Sequence, residues 1–283
     1  MTKLRDKMKE EMALRHFAPG TQSQYLRAVI KLAVYYNKSP AKLSEQELRA
    51  FLLFMAKQEH CSASTYNVML HGLKFFYRTV LGNKILAFEF PCMREAQRLP
   101  DILSQEEVTL IIKATRNIKH RTLLILIYGA GLRASEAGSL RARDIDRDRR
   151  CIHIREGKGR KDRYVPLSPV MLNALQDYWK ACRVREAKTD NPLIFPGDQG
   201  SALSASSVGA IYTRSKKQVG IQKQGGVHAL RHAFATHSLE AGADLYAINK
   251  ILGHAAMSST VRYLRMTDKT LQMVESPVER LNL

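Results

Sequence analysis

Tyr263 closes the stretch LGHAAMSSTVRY, ten residues after Gly253 and nine after His254. A tyrosine hydroxyl near a histidine can act as a nucleophile, although each of the eleven tyrosines also serves as a core or surface residue. Gly253 reads as a helix stop, and Ser258 or Ser259 as the cap of the next helix, a turn that would bring Tyr263 back towards His254. Upstream, His228 and Arg231 in HALRH stand at i and i+3. They share one helix face, and a helix start there would aim both at one ligand. His232 points to another side and reads as structural, as does His237. Arg133 in GLRASE follows a glycine break and has Glu136 three residues on. It is either an anion-binding arginine oriented by the carboxylate or half of a surface ion pair. Lys158 lies between two glycines in GKGRKDR. That basic turn, with Arg160, Lys161 and Arg163, suits a nucleic-acid backbone or is a solvated turn.

The elements that carry these residues fall into two parts. Residues 1–90 read as a small all-helical domain. A capping box at Ser44-x-x-Glu47 precedes Leu48, Phe51, Leu52 and Met55 at helical spacing, and a stripe from Tyr66 to Val80 reads as packing. Residues 91–100, with Pro91 and Pro100 near their ends, form a linker. From 101 to 283 the pattern is mixed but mostly helical. It begins at a second capping box, Ser104-x-x-Glu107, and continues through a run, Arg121–Tyr128, apolar almost all round. The period then changes: CIHIR and RYVPL are short β-like runs flanking the glycine-containing turn, which predicts a small antiparallel sheet. Helical patterns return at 169–182, 204–218, 228–241 and 244–252. The fold class expected is therefore mainly α.

Composition excludes several classes. The net charge is +19 in 283 residues; residues 1–100 carry 16 basic and 8 acidic side chains, and the remaining +11 falls in 101–283. A charge this distributed points to a polyanionic partner, most often nucleic acid. The longest apolar stretch, Leu123–Tyr128, is far below the roughly 20 residues of a membrane span, so no membrane partner is expected. The N-terminal stretch MTKLRDKMKEEMALRH lacks the apolar segment of a signal peptide. Cys61, Cys92, Cys151 and Cys182 show no CxxC spacing, which argues against a zinc site or disulfide framework and for a reduced, cytoplasmic setting.

In order, Arg133, Lys158, His228, Arg231, His254 and Tyr263 resemble the signature of the tyrosine recombinase (phage integrase) family, carried by GLRASE, GKGRKDR, HALRHAFATH and LGHAAMSSTVRY. The likeness spans nearly the whole chain and implies a SAM-like core-binding domain followed by a catalytic domain, closing around duplex DNA. It implies Tyr263 as nucleophile forming a 3′-phosphotyrosine, Arg133 and Arg231 on the phosphate, Lys158 as general acid, His228 as acid–base partner, His254 on the phosphate, and Glu136 holding an active-site group. It further implies no metal, no ATP and no other cofactor. The partner would be double-stranded DNA with paired inverted core sites, held by a homotetramer or with a partner recombinase, and the C-terminal tail would dock on a neighbouring protomer. Leu-Arg-Met follows Tyr263 where many members have Thr-His. The two-domain organisation resembles Xer-like or transposon-associated recombinases. Alternatives are an integron-type integrase, a type IB topoisomerase-like relaxing enzyme and a non-catalytic DNA-binding accessory protein.

Overall fold

The computed structural model describes residues 2–57, 61–82, 90–94, 101–155, 162–182, 192–254, 256–257, 260–261 and 263. The chain divides into two compact units, residues 1–98 and 99–283. Of the linker stretch 91–100, residues 95–100 lie outside the described residues.

Among the described residues the regular elements of the first unit are all helical: α1 (Thr2–Leu14), α2 (Pro19–Tyr36), α3 (Glu45–Lys57) and α4 (Ala63–Phe75), which runs on into a π-helical turn over Phe76–Val80. Local chemistry sets the boundaries. The Ser44 amide donates to Glu47 Oε2 at 2.7 Å while the Glu47 amide donates to Ser44 Oγ at 3.2 Å, closing the box that starts α3. Asn37 ends α2 in the left-handed region, at φ 45°. Leu32, Phe51, Leu70, Leu73, Phe76 and Tyr77 are buried together. The aromatic stripe of α4 is thus core, as its spacing suggested. The Tyr77 hydroxyl donates to Pro40 O at 2.8 Å, and burial pushes its pKa up to about 12.

The second unit opens with α5 (Gln105–Ala114), whose Ser104–Glu107 capping box is complete, followed by α6 (Ile118–Gly129) and the short α7 (Ala134–Gly138). Leu123, Leu124 and Leu126 of α6 are wholly buried, which accounts for a helix apolar on nearly every face. A three-stranded antiparallel sheet follows, β1 (Ile145–Asp146), β2 (Cys151–Ile154) and β3 (Arg163–Pro166), in that order. Cys151 pairs with Pro166 and Ile154 with Arg163; residues 156–161, between β2 and β3 in the chain, lie outside the described residues. Then come α8 (Pro169–Cys182), α9 (Ala205–Gln218), α10 (His228–Glu240) and α11 (Leu245–Leu252), and Thr260, Val261 and Tyr263 are helical beyond them. The fold is mainly α with a small antiparallel sheet, as the sequence indicated. Beside the main core, Ala235, Ile248 and Leu252 form a smaller buried cluster with the ring of Tyr263. Among the described residues no helix is long and apolar enough to cross a membrane.

Candidate active site

The end of α11 organises the site. Gly253 follows it in the left-handed region, at φ 60°, where glycine costs least. The Gly253 amide donates to Lys250 O at 3.0 Å and the His254 amide to Asn249 O at 3.3 Å, the paired bonds of a Schellman stop. Three further carbonyls then face three arginines. Arg163 Nε donates to Ile251 O at 2.7 Å, Arg231 Nη2 donates to Leu252 O, and Arg133 Nη2 donates to Gly253 O at 3.3 Å. The negative end of the helix dipole favours cations in that place. One helix terminus therefore gathers three guanidinium groups that lie 30 to 98 residues apart in the chain.

Gly253 also leaves no room for a side chain, since a Cβ there would lie 2.9 Å from Arg163 Cδ and 3.2 Å from its Nε. Gly253→Ala should lose on the order of 2 kcal/mol, from the left-handed backbone and the displaced arginine together. Urea unfolding of wild type and variant measures it, and an unchanged midpoint would show that the arginine yields freely.

Glu136 sits beneath this set, with its side chain 7% exposed. Arg163 Nη1 and Nη2 reach its two oxygens at 2.8 and 2.7 Å, while Arg133 Nη1 reaches Oε1 at 2.7 Å and the Arg133 amide reaches Oε2 at 2.8 Å. Burial raises the carboxyl pKa, but the bonds and charges of Arg163 and Arg133 outweigh it and hold the group at about 2. Arg133 and Glu136 thus form a half-buried to buried pair at the start of α7, not a surface ion pair. The sequence reading of Arg163 as a DNA contact needs correction. Its side chain is 9% exposed, and its guanidinium is committed to Glu136 and Ile251 O. Arg231 is buried deeper still, at 1%. Its Nη1 donates to Gly131 O at 2.6 Å, and its Nε has no hydrogen-bond partner in the structure. Burial lowers its pKa to about 10, helped by Arg133 and Arg163 and opposed by Glu136 and Tyr263.

Tyr263 is 1% exposed. Its hydroxyl lies 2.9 Å from His232 Nδ1, and its ring stacks against His254 at 6.3 Å and 19°. The turn from Gly253 does return the tyrosine to His254. His254 Nδ1 and Asn249 Nδ2 each lie 2.8 Å from Thr260 Oγ1. With the amide donating, the threonine hydroxyl can donate to Nδ1, which leaves neutral His254 with its proton on Nε2. His228, exposed at the first position of α10, packs edge-on against His232, with ring centroids 4.6 Å apart.

The site therefore brings Arg133, Glu136, Arg231, His254 and Tyr263 together, with His228 one ring away through His232. Lys158, Arg160 and Lys161 lie outside the described residues, as do Ser258, Ser259 and the tail 264–283. Sequence reasoning set His232 on another side from His228, whereas its ring packs on His228 and its Nδ1 meets a partner from 31 residues downstream. It also missed a cleft of about 830 Å³ beside Glu136, lined by Arg141, Arg143, His153 and Arg155. Asp144, itself buried, holds Arg155 at 2.7 Å on one side of it. The density of arginines over 141–155 was the available signal. Among the described residues no cluster of three or more His, Cys, Asp or Glu side chains is placed to hold a metal ion.

The sequence pattern of the phage integrase family matches residues 101–270, and that of the phage integrase N-terminal SAM-like domain matches residues 4–86. The chain belongs to the phage integrase family. A Sinorhizobium fredii protein named as an integrase/recombinase, y4qK, is 36% identical over 99% of this chain and 90% of its own length. The tyrosine recombinase XerA of Pyrococcus horikoshii is 32% identical, over 79% of this chain and 78% of its own. The tyrosine recombinase XerC of Halalkalibacterium halodurans is 30% identical over 93% and 88%. The chain is accordingly an enzyme of the tyrosine recombinase class. Two solved structures share its fold. XerH bound to palindromic difH substrate, a post-cleavage complex, has a TM-score of 0.69 at 24% identity, covering 91% of this chain and 80% of that one. A lambda integrase dimer bound to a core site has a TM-score of 0.73 at 16% identity, covering 93% and 94%.

Proposed function

We propose that this recombinase cuts and rejoins duplex DNA at paired inverted core sites through a covalent 3′-phosphotyrosine at Tyr263, for integration, excision or resolution. The observation that carries the reading is the burial of the Tyr263 hydroxyl on a histidine, beside arginines fixed to the helix end that precedes it. A free phenol loses its proton near pH 10, so attack near neutrality needs a proton acceptor and a cationic surround. The imidazoles of α10 supply the first, His228 being the one the family motif points to. Arg133 and Arg231 supply the second, neutralising the non-bridging oxygens as the phosphorus becomes five-coordinate. His254 donates to the phosphate through Nε2, in the tautomer that Thr260 and Asn249 favour. Glu136 keeps Arg133 aimed. Lys158, with Arg160 and Lys161 on the β2–β3 turn, approaches the backbone, and Lys158 protonates the departing 5′-oxygen. The Arg141–Arg155 cleft adds phosphate contacts.

We assign residues 1–90 to a core-binding role, 91–100 to the linker and 101–283 to catalysis, with four protomers holding two sites, alone or with a partner recombinase. The phosphodiester energy is kept in the tyrosine ester, so rejoining needs no nucleotide. The test uses a nicked duplex that traps the covalent product. Wild type should give an adduct stable on denaturing gels, and Tyr263→Phe should bind the same duplex and give none. An adduct that persists in Tyr263→Phe would move the nucleophile elsewhere. Binding with no adduct from either protein, with candidate partner recombinases present, would leave a clamp without chemistry.

A further inference from the structure

We infer that Asn249 and Thr260 are positioning residues for cleavage: between them they decide which ring nitrogen of His254 carries the proton, and so whether that ring attracts or repels the scissile phosphate. This rests on the phosphotyrosine reading above.

The three side chains form a hydrogen-bond relay with a direction. Asn249 Nδ2 donates to Thr260 Oγ1 at 2.8 Å, and the same oxygen lies 2.8 Å from His254 Nδ1. A hydroxyl has one proton to give. With the amide donating to it, that proton is left for Nδ1, and the ring carries its own on Nε2. An amide turned the other way would take the hydroxyl proton instead. Nδ1 would then have to donate, and Nε2 would turn a lone pair towards the phosphate oxygens. The amide therefore sets the polarity of the relay.

The fold holds both partners in place. Thr260 is wholly buried, and its amide donates to Met257 O at 2.8 Å. Asn249 grips the histidine twice: its carbonyl takes the His254 amide at 3.3 Å, and its side chain reaches the ring through Thr260. The helix end that collects three arginines thus also orients the imidazole. The charged and titratable groups around that ring are Tyr263, stacked on it, and His232 beyond the tyrosine. Arg133 at Gly253 O, Arg163 at Ile251 O and Arg231 at Leu252 O complete them, with Glu136 against Arg133 and Arg163. Lys250 of α11 turns instead over the Tyr246 ring.

Asn249→Asp reverses the relay with almost no change of shape. A carboxylate only accepts, so the Thr260 hydroxyl turns towards it and Nδ1 must donate. Single-turnover cleavage of the nicked duplex should then fall about 10²-fold at about pH 8, where a neutral imidazole meets the phosphate with the wrong nitrogen. The ratio to wild type should recover towards about pH 5, because an imidazolium donates from both nitrogens. Thr260→Ser keeps the hydroxyl and should cleave within about threefold of wild type. Thr260→Val leaves the tautomer unset and should lose about tenfold. Adding Asn249→Asp to Thr260→Val should cost little more, since no hydroxyl is left to reverse. Nitrogen-15 NMR of histidine-labelled protein, without DNA, should place the His254 proton on Nε2 in wild type and on Nδ1 in Asn249→Asp. A ratio that stays constant with pH, or the full Asn249→Asp loss in the Thr260→Val background, would overturn the assignment, because an added negative charge alone gives both. So would a wild-type ring with its proton on Nδ1, which needs no variant to fold. Failure of wild type to form any adduct on a duplex it occupies would overturn the phosphotyrosine reading and the role in cleavage with it. The tautomer is read without DNA, which separates the two.

Discussion

Arg163→Ala should destabilise the C-terminal unit by about 3–5 kcal/mol and slow cleavage, while leaving the salt dependence of DNA binding as it is in wild type. The arginine is 9% exposed, with both terminal nitrogens on Glu136 and its Nε on Ile251 O. Alanine would leave a buried carboxylate with Arg133 as its remaining guanidinium and a helix-end carbonyl without its donor. Removal of a true phosphate contact behaves otherwise: it costs no stability and reduces the salt slope by about one. The pH dependence sharpens the test. Burial raises the Glu136 pKa, but the two arginines bring the folded value to about 2, below the ordinary carboxylate value. A group depressed in this way stabilises the fold above its unfolded pKa and loses that contribution as pH falls towards the folded one. A fall of this size is worth on the order of 3 kcal/mol. The stability gap between wild type and Arg163→Ala should therefore be full at neutral pH and narrow between about pH 4.5 and 2. Denaturant unfolding at several pH values, beside salt titrations of duplex binding, measures both. A normal unfolding midpoint with a reduced salt slope would return Arg163 to the DNA surface.

Arg163 shows what local sequence carries and what it does not. Ser44–Glu47 and Ser104–Glu107 were legible as helix starts because both partners of each bond lie three residues apart. The change of period at 151–167 was legible for the same reason, and the sheet lies there. The direction of Arg163 depends instead on β3 pairing with β2 and on α11 ending beneath it, 88 residues away in sequence. Among the four cations of residues 157–163, nothing local marks Arg163 for burial. His232 was set on the wrong side for a different reason: i, i+4 spacing puts it on the His228 face, where the two rings meet, and the chain returning after Gly253 brings Tyr263 there too. Arg133 and Glu136 were left open between site and surface because i, i+3 spacing fits both. Arg163, arriving from β3, makes the pair buried.

Arg231→Lys should reduce cleavage by about 10²–10³-fold with duplex binding retained. Ile251, Leu252 and Gly253 each offer a carbonyl that the Schellman bonds leave over, and each takes one arginine. The helix end attracts the three cations, and Glu136 offsets part of their mutual repulsion. Their sum still exceeds the negative charge nearby, and that surplus is what a phosphate would meet. Arg231 lies deepest, spanning Gly131 O and Leu252 O with its two terminal nitrogens. A lysine has one nitrogen and cannot hold both carbonyls with a planar fork. It is also easier to discharge. The site lowers the guanidinium to about 10, and the same burial acting on an ammonium, which starts near 10.4, would bring it towards neutrality at working pH. The variant should recover relative to wild type as pH is lowered, because the protonated lysine then regains the charge that arginine never loses. A constant ratio of variant to wild-type rate across that range would mean that fork geometry alone sets the loss. A ratio within about threefold of unity would mean that the deepest of the three arginines is an anchor for α11 and not a partner of the phosphate.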